Sequence, residues 1–150
     1  MDMTTSPATN ALQPLQQDVQ RLLGRCLLRL QQYERLMKAT LAHHEISGPA
    51  HSQEAILAAR IEDAATKTLG TLVGQLFGSY VVTDGNGGEE RDDALPGDVI
   101  SFRTRVQLSL SAQDYAQTQA DLKDLVSLRN TLVHHFIDQH DLWTVDGCRA

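Results

Sequence analysis

Apolar residues in the first third of the chain recur at spacings of three and four: Leu15, Val19, Leu22, Cys26, Leu30, Tyr33, Met37 and Leu41. This is the stripe of an amphipathic helix. The helix is expected to start near Leu12 to Pro14, since proline suits a first turn, and to run to about His44, ahead of the turn signal Ser47-Gly48-Pro49. Residues 1–10 are polar, rich in Thr, Ser and Ala, and read as a disordered tail. A second stripe, Leu57, Ile61, Ala65, Leu69, Leu72, Leu76 and Tyr80, predicts a helix from Ser52 to about Ser79, with Ser52 as N-cap and Glu54 favourable in the first turn. Gly70, Gly74 and Gly78 recur within it every four residues. Each glycine costs about 1 kcal/mol against alanine inside a helix. Three together point to a close approach by another helix, from the same chain or from a second copy.

The period then changes. Tyr80-Val81-Val82 is β-prone, and Asp84 to Gly88 is turn material. Ile100, Phe102, Thr104, Val106 and Leu108 alternate with Ser101, Arg103, Arg105 and Gln107, the period of a strand. The simplest picture is a small hairpin closed by an acidic loop over 83–98. A third helix is expected from Ser111, with Asp114 as a weak capping-box echo, to about Gln139. Leu142, Trp143 and Val145 should pack back on the helices, and Thr144 to Ala150 open a further helix capped by Thr144 or Asp146. The expected fold class is all-α: an antiparallel helical bundle with three long helices, a β-hairpin and acidic-loop insertion and the start of a further helix, in one domain over 11–150.

The third helix carries the unusual chemistry. At 100° per residue, Leu122, Leu125, Val126, Leu132, Val133 and Phe136 form a broad apolar arc. Arg129 falls near its middle, with Asn130 and His134 on its rim. A guanidinium in an apolar arc is costly unless it is paired or faces a cleft. Arg129 is therefore either a structural arginine paired with a carboxylate on another helix, or a group offered to an anionic ligand. His135 points about 100° away from His134 and is the weaker candidate.

Composition narrows the reading. With 150 residues, 41% hydrophobic and 21% charged, the chain can bury one core of ordinary make-up. Its net charge of −6 argues against a generic nucleic-acid-coating protein. However, Asp84, Glu89, Glu90, Asp92, Asp93 and Asp98 against Arg91 put −5 of that in 83–98, so the rest is close to neutral. The acids are plain solvated charge, or they shield the Arg129 site or mimic a nucleic-acid backbone until a partner binds. Arg21, Arg25 and Arg29 form a row that is either a solvated face or a phosphate-tracking one. Cys26 and Cys148 make neither a disulfide framework nor zinc spacing, and Cys26 is expected in the core. No signal-peptide pattern and no run of 18 apolar residues is present, so a cytoplasmic protein of bacterial type, without membrane contact, is expected.

The run Leu128-Arg129-Asn130-Thr131-Leu132-Val133-His134 resembles the motif of HEPN domains. These are small helical domains, often homodimeric, many of them metal-independent endoribonucleases. The wider segment Asp121 to Arg149, with Leu23 to Arg35, is similar to the N-terminal region of bacterial proteins that carry an OST-HTH (LOTUS) RNA-binding module further downstream. The resemblance covers the chain from about residue 11 onward. It implies Arg129, Asn130 and His134 as site residues, RNA as target, a homodimer, and a downstream or separate RNA-binding partner domain. Phe136 stands where some HEPN toxins carry a tyrosine that a partner nucleotidyltransferase modifies.

Those residue types suit metal-free RNA cleavage. Histidine is base or acid near neutral pH, and arginine holds phosphate oxygens with a permanent charge. A two-fold dimer would supply two histidines, one for each proton transfer. His134, His135 and His140 have no facing cysteine or carboxylate set at ligand spacing, so no metal is expected. No cofactor is expected either, because the Gly85 to Gly88 cluster lacks the Lys-Ser/Thr ending of a phosphate loop. Two functions follow: an endoribonuclease of a defence or mobile-element system, and a non-catalytic dimerisation module for an RNA-binding protein.

Overall fold

The computed structural model describes residues 7–85 and 99–150, which are mostly helical. Helix α1 spans Pro7–His43 and is followed by strand β1, Glu45–Pro49. A 3₁₀ turn, Ala50–Ser52, leads into α2, Gln53–Ala65, and α3, Leu69–Gln75. A π turn, Leu76–Tyr80, precedes β2, Val81–Thr83. Strands β3, Ser101–Arg105, and β4, Leu108–Leu110, precede α4, Ala112–Asn130. A second π turn, Thr131–His135, joins α4 to the short α5, Phe136–Gln139, and α6 is Val145–Arg149. Beyond Gly85 the expected acidic loop lies outside the described residues, as do residues 1–6 of the expected tail. Helix α1 already includes Pro7–Asn10, which had been assigned to that tail; Pro7 opens it as a first-turn proline.

Packing divides the chain into two units, one of Tyr33–Val126 and one of Met1–Gln32 with Ser127–Ala150. The central unit, Tyr33–Val126, holds the larger core. Met37 and Leu41 of α1 meet Leu69, Leu72 and Val73 of α3, Leu76 and Phe77 of the π turn, and Val81 of β2. Leu72 is fully buried, so its truncation to alanine should cost about 2–5 kcal/mol. Tyr115 of α4 lays its ring edge-on to Phe77 at 5.2 Å and donates its hydroxyl to the Phe77 carbonyl at 3.0 Å.

Three expectations fail here, each for a local reason. The single helix over Ser52 to Ser79 is broken after Ala65. Thr66 turns its hydroxyl onto the Asp63 carbonyl at 2.9 Å, and Thr68, extended at φ −77° and ψ 159°, caps a fresh helix by accepting from the Thr71 amide. The hairpin is absent among the described strands. Instead β1 pairs antiparallel with β3, Glu45 opposite Arg105, and β2 pairs parallel with β4, Val81 opposite Leu108. The alternating run therefore splits at Val106–Gln107, where the Val106 amide donates to the His44 carbonyl at 2.7 Å. Within the described chain the three glycines do not bring another helix backbone close. A Cβ on Gly70 would meet only Val126, at an ordinary 3.6 Å, and those on Gly74 and Gly78 would meet nothing within 4 Å.

The other unit is thinner. Leu30 is its only buried residue among those described. The inward stripe of α1 runs through Leu15, Val19, Leu23, Leu27 and Leu30, all at least half-buried, whereas Leu22 and Cys26 are exposed. Cys26 is thus not a core residue. The helix turns its Leu23 and Leu27 positions inward instead. The further helix forms as expected: Thr144 caps α6 by accepting from the Gly147 amide at 3.1 Å, and Gln16 of α1 donates to the Leu142 carbonyl at 2.8 Å. Trp143 does not pack back and stays 79% exposed. Among the described residues no helix is long and apolar enough to cross a membrane.

Candidate functional site

Arg129 and Asn130 end α4, and His134 lies inside the π turn Thr131–His135. On a regular α-helix, residues five apart diverge by about 140°. A π turn is closed by i→i+5 bonds, so residues five apart stack as i and i+4 do elsewhere. The turn thereby brings His134 under Arg129. Arg129 Nη1 lies 3.3 Å from Asn130 Oδ1 and 3.5 Å from His134 Nε2. The backbone leaves the turn at His135 with φ −127° and ψ −1°.

Arg129 is half-buried, while Asn130, His134 and His135 are exposed. Among the described residues no carboxylate pairs with Arg129. A buried guanidinium paired with a carboxylate on another helix, the structural-arginine alternative, is not found among the described residues. The His135 ring stands 6.3 Å from that of His134 at 65°, and Phe136 tilts onto His140 at 4.9 Å. No three His, Cys, Asp or Glu side chains converge as a metal site among the described residues. Around the motif, Leu128, Val133 and Ile137 are exposed. The expected arc is thus realised for Leu132 and Phe136, which are half-buried, but not for Val133.

No protein-family model matches the chain, and no curated protein or solved structure matches it either. The case for the site rests on its geometry.

A second arginine–histidine contact lies in the central unit, and the sequence reading missed it. Arg60 of α2 donates from Nε to the Ala42 carbonyl at 2.9 Å and from Nη2 to the Leu41 carbonyl at 2.8 Å. It caps the C-terminal end of α1, where orphan carbonyls and the helix dipole favour a cation. The same Nη2 is 3.3 Å from His44 Nδ1, and His44 Nδ1 also lies 2.9 Å from the Leu41 carbonyl. His44 is 7% exposed and its Nε2 is buried without a partner. Burial holds its pKa below the ordinary 6.5, helped by the Arg60 and Arg105 charges, and outweighs the opposing Leu41 bond and Glu45 charge. The one available signal was a histidine directly after the apolar stripe of α1, at a helix end that needs a cation.

Proposed function

We propose that the chain is an RNA-directed, HEPN-like protein that cleaves RNA without a metal, in a defence or mobile-element setting. Two copies would face each other across a two-fold axis to complete the site. The observation that carries this reading is the π turn, which sets His134 Nε2 beside an Arg129 guanidinium that, among the described residues, no carboxylate neutralises. Asn130 Oδ1 accepts from the same Nη1 that meets His134. In the reaction, His134 takes the proton of the RNA 2′-hydroxyl, and the 2′-oxygen attacks the adjacent phosphorus. The P–O5′ bond breaks, and the leaving oxygen takes a proton from the second copy's equivalent histidine, which acts in its protonated form. Arg129 holds the charge that builds on the phosphorane oxygens. The thin core of this unit and the exposure of Leu22, Leu128, Ile137 and Trp143 support a second copy as cover.

The exposed Ile137 and Trp143 also suit a second reading, a non-catalytic dimerisation or interaction module serving an OST-HTH-type RNA-binding partner. The deciding experiment incubates the purified chain with single-stranded RNA and a chelator. Cleavage to 2′,3′-cyclic phosphate ends, with 2′-deoxy substrates untouched, is the expected outcome. A dimer by sedimentation that leaves varied RNA pools intact selects the interaction module. A strict monomer at micromolar concentration removes the composite site.

A further inference from the structure

Two exposed faces of the unit Met1–Gln32 with Ser127–Ala150 take no part in the proposed proton transfers, and each mixes charge with apolar side chains. On α1, Arg21, Arg25 and Arg29 are all exposed and recur every four residues, so they are neighbours on the helix surface. Leu22 and Leu28 are exposed beside them. Arg21 is matched by Asp18 at 3.1 Å, and Arg29 donates to Gln32 Oε1 at 3.2 Å. Among the described residues no carboxylate pairs with Arg25 or Arg29. Three arginines against Asp18 leave this face at +2. The other face follows the motif helix. Ile137 and Trp143 are exposed there. Asp138, Asp141 and Asp146 are exposed along the same stretch, and none has a cation within ion-pair reach among the described residues. Against Arg149, the one lysine or arginine after Phe136, they leave −2. We infer that these two faces meet between two copies of the chain, α1 of each lying on residues 137–146 of the other.

The two faces are opposite in sign and equal in size, and both offer apolar area between the charges. That is the make-up of a protein–protein contact, with aromatic and arginine anchors inside and a charged rim. A guanidinium also stacks well on an indole face, which pairs the arginine row with Trp143 as well as with the aspartates. The chain cannot satisfy these charges by itself. Gln16 of α1 reaches the Leu142 carbonyl, yet no arginine of the row pairs with any of the three aspartates. The Trp143 turn is set before any partner arrives. Its amide donates to Asp141 Oδ1 at 3.1 Å, and the preceding carbonyl is held by Gln16 at 2.8 Å, which lowers the ordering cost of binding. An RNA strand fits the pair of faces less well. Its phosphates would take the arginines but leave Leu22 and Leu28 in water, and the aspartates would repel them. Under a two-fold axis each copy supplies both faces, so the contact forms twice. The inference rests on the dimer of the proposed function and names the surfaces that build it.

The test follows the full chain by sedimentation and by tryptophan emission as its concentration is raised. Trp143 is the chain's one tryptophan, so the emission reports on this face alone. A dimer should appear together with a blue shift, as the indole leaves water. Arg25→Glu with Arg29→Glu should weaken the dimer about tenfold or more and remove the shift, with the melting temperature kept. Asp138→Lys with Asp146→Lys should do the same. All four substitutions in one chain reverse both faces and should restore the dimer, which a merely misfolded variant would not do. A strict monomer overturns the inference, and so does a dimer whose Trp143 emission stays unshifted or that both charge-reversed pairs leave intact. Loss of RNA binding in the Arg25→Glu, Arg29→Glu chain with the dimer kept also overturns it, and makes the row a phosphate track. RNA cleavage is measured on the same preparations. A dimer that behaves as expected but leaves RNA uncut upholds this contact and removes only the RNA-cleaving reading.

Discussion

The molecule holds two arginine–histidine contacts of nearly equal length that differ in almost everything else. Arg60 and His44 meet at 3.3 Å beside the main core, and Arg129 and His134 at 3.5 Å where α4 runs into the second π turn. Arg60 has given two of its three nitrogens to the carbonyls of α1, and its histidine is buried. Among the described residues Arg129 gives its bonds only to Asn130 and His134, and its histidine is exposed. The same two side chains therefore make a helix cap in one place and an open cationic site in the other. Burial and the fate of the guanidinium donors decide which, not residue type or separation.

That contrast is sharpest in substitutions. If Arg129 and His134 act on RNA, Arg129→Ala and His134→Ala should each lower the cleavage rate about 10²-fold or more. With Arg129 half-buried, His134 exposed and neither paired with a carboxylate among the described residues, they should change unfolding free energy by no more than about 0.5 kcal/mol. Chelator-treated RNA assays and urea melts on the same preparations check both halves. Equal losses of folding and rate would make the exposed pair structural and erase the distinction.

The reverse pattern is expected at the cap. Arg60→Ala strands the Leu41 and Ala42 carbonyls at the end of a buried helix. Bonds to charged donors contribute about 1.5–3 kcal/mol each, and partial rehydration recovers some of that. The expected cost is about 3 kcal/mol, read from the urea midpoint, with RNA cleavage per folded molecule unchanged. A variant as stable as the parent would show that the cap is dispensable.

Acidity should also separate the two pairs. The folded chain holds His44 below 6.5, the value of an unfolded histidine. The groups that face it are Arg60, Glu45, Arg105, the Leu41 carbonyl and the edge of the Tyr80 ring. Below that pH the unfolded chain takes up a proton that the folded chain refuses. The contribution is thus complete above 6.5 and is lost as pH falls toward the folded value, at up to about 1.4 kcal/mol per pH unit. Urea melts between about pH 7 and pH 5 measure this slope. His44→Gln should flatten it, and His134→Ala should leave it in place.

The contrast also marks where the sequence stopped being informative. Arg129, Asn130 and His134 stood out because an arginine in an apolar arc is anomalous at the level of a helical wheel. Their contact did not, because a wheel drawn at 100° assumes an unbroken α-helix and separates Arg129 from His134. A π turn costs little locally and has no composition signal as plain as proline or glycine. Arg60 was not visible at all, since its partners are main-chain carbonyls of a helix 18 and 19 residues away. The Ser111–Asp114 and Thr144 caps were legible because capping is local. The strand pairing was not, because Glu45 finds Arg105 across 60 positions of chain.

The smallest effect expected tests which region faces a second copy. The glycine face of α3 was one candidate, and the apolar side chains around the exposed pair are the other. Gly74 is helical, exposed and free of neighbours within 4 Å of a built Cβ. Gly74→Ala should therefore stabilise the chain by about 0.5–1 kcal/mol, through helix propensity and a less flexible unfolded state. It should leave the sedimentation coefficient alone. Loss of self-association in this variant, despite a raised melting temperature, would move the subunit contact onto the glycine face and away from Arg129. Ile137→Ser, at a side chain that is 76% exposed, is the paired substitution: it should weaken the dimer while costing the monomer little, because that side chain buries almost nothing within the chain.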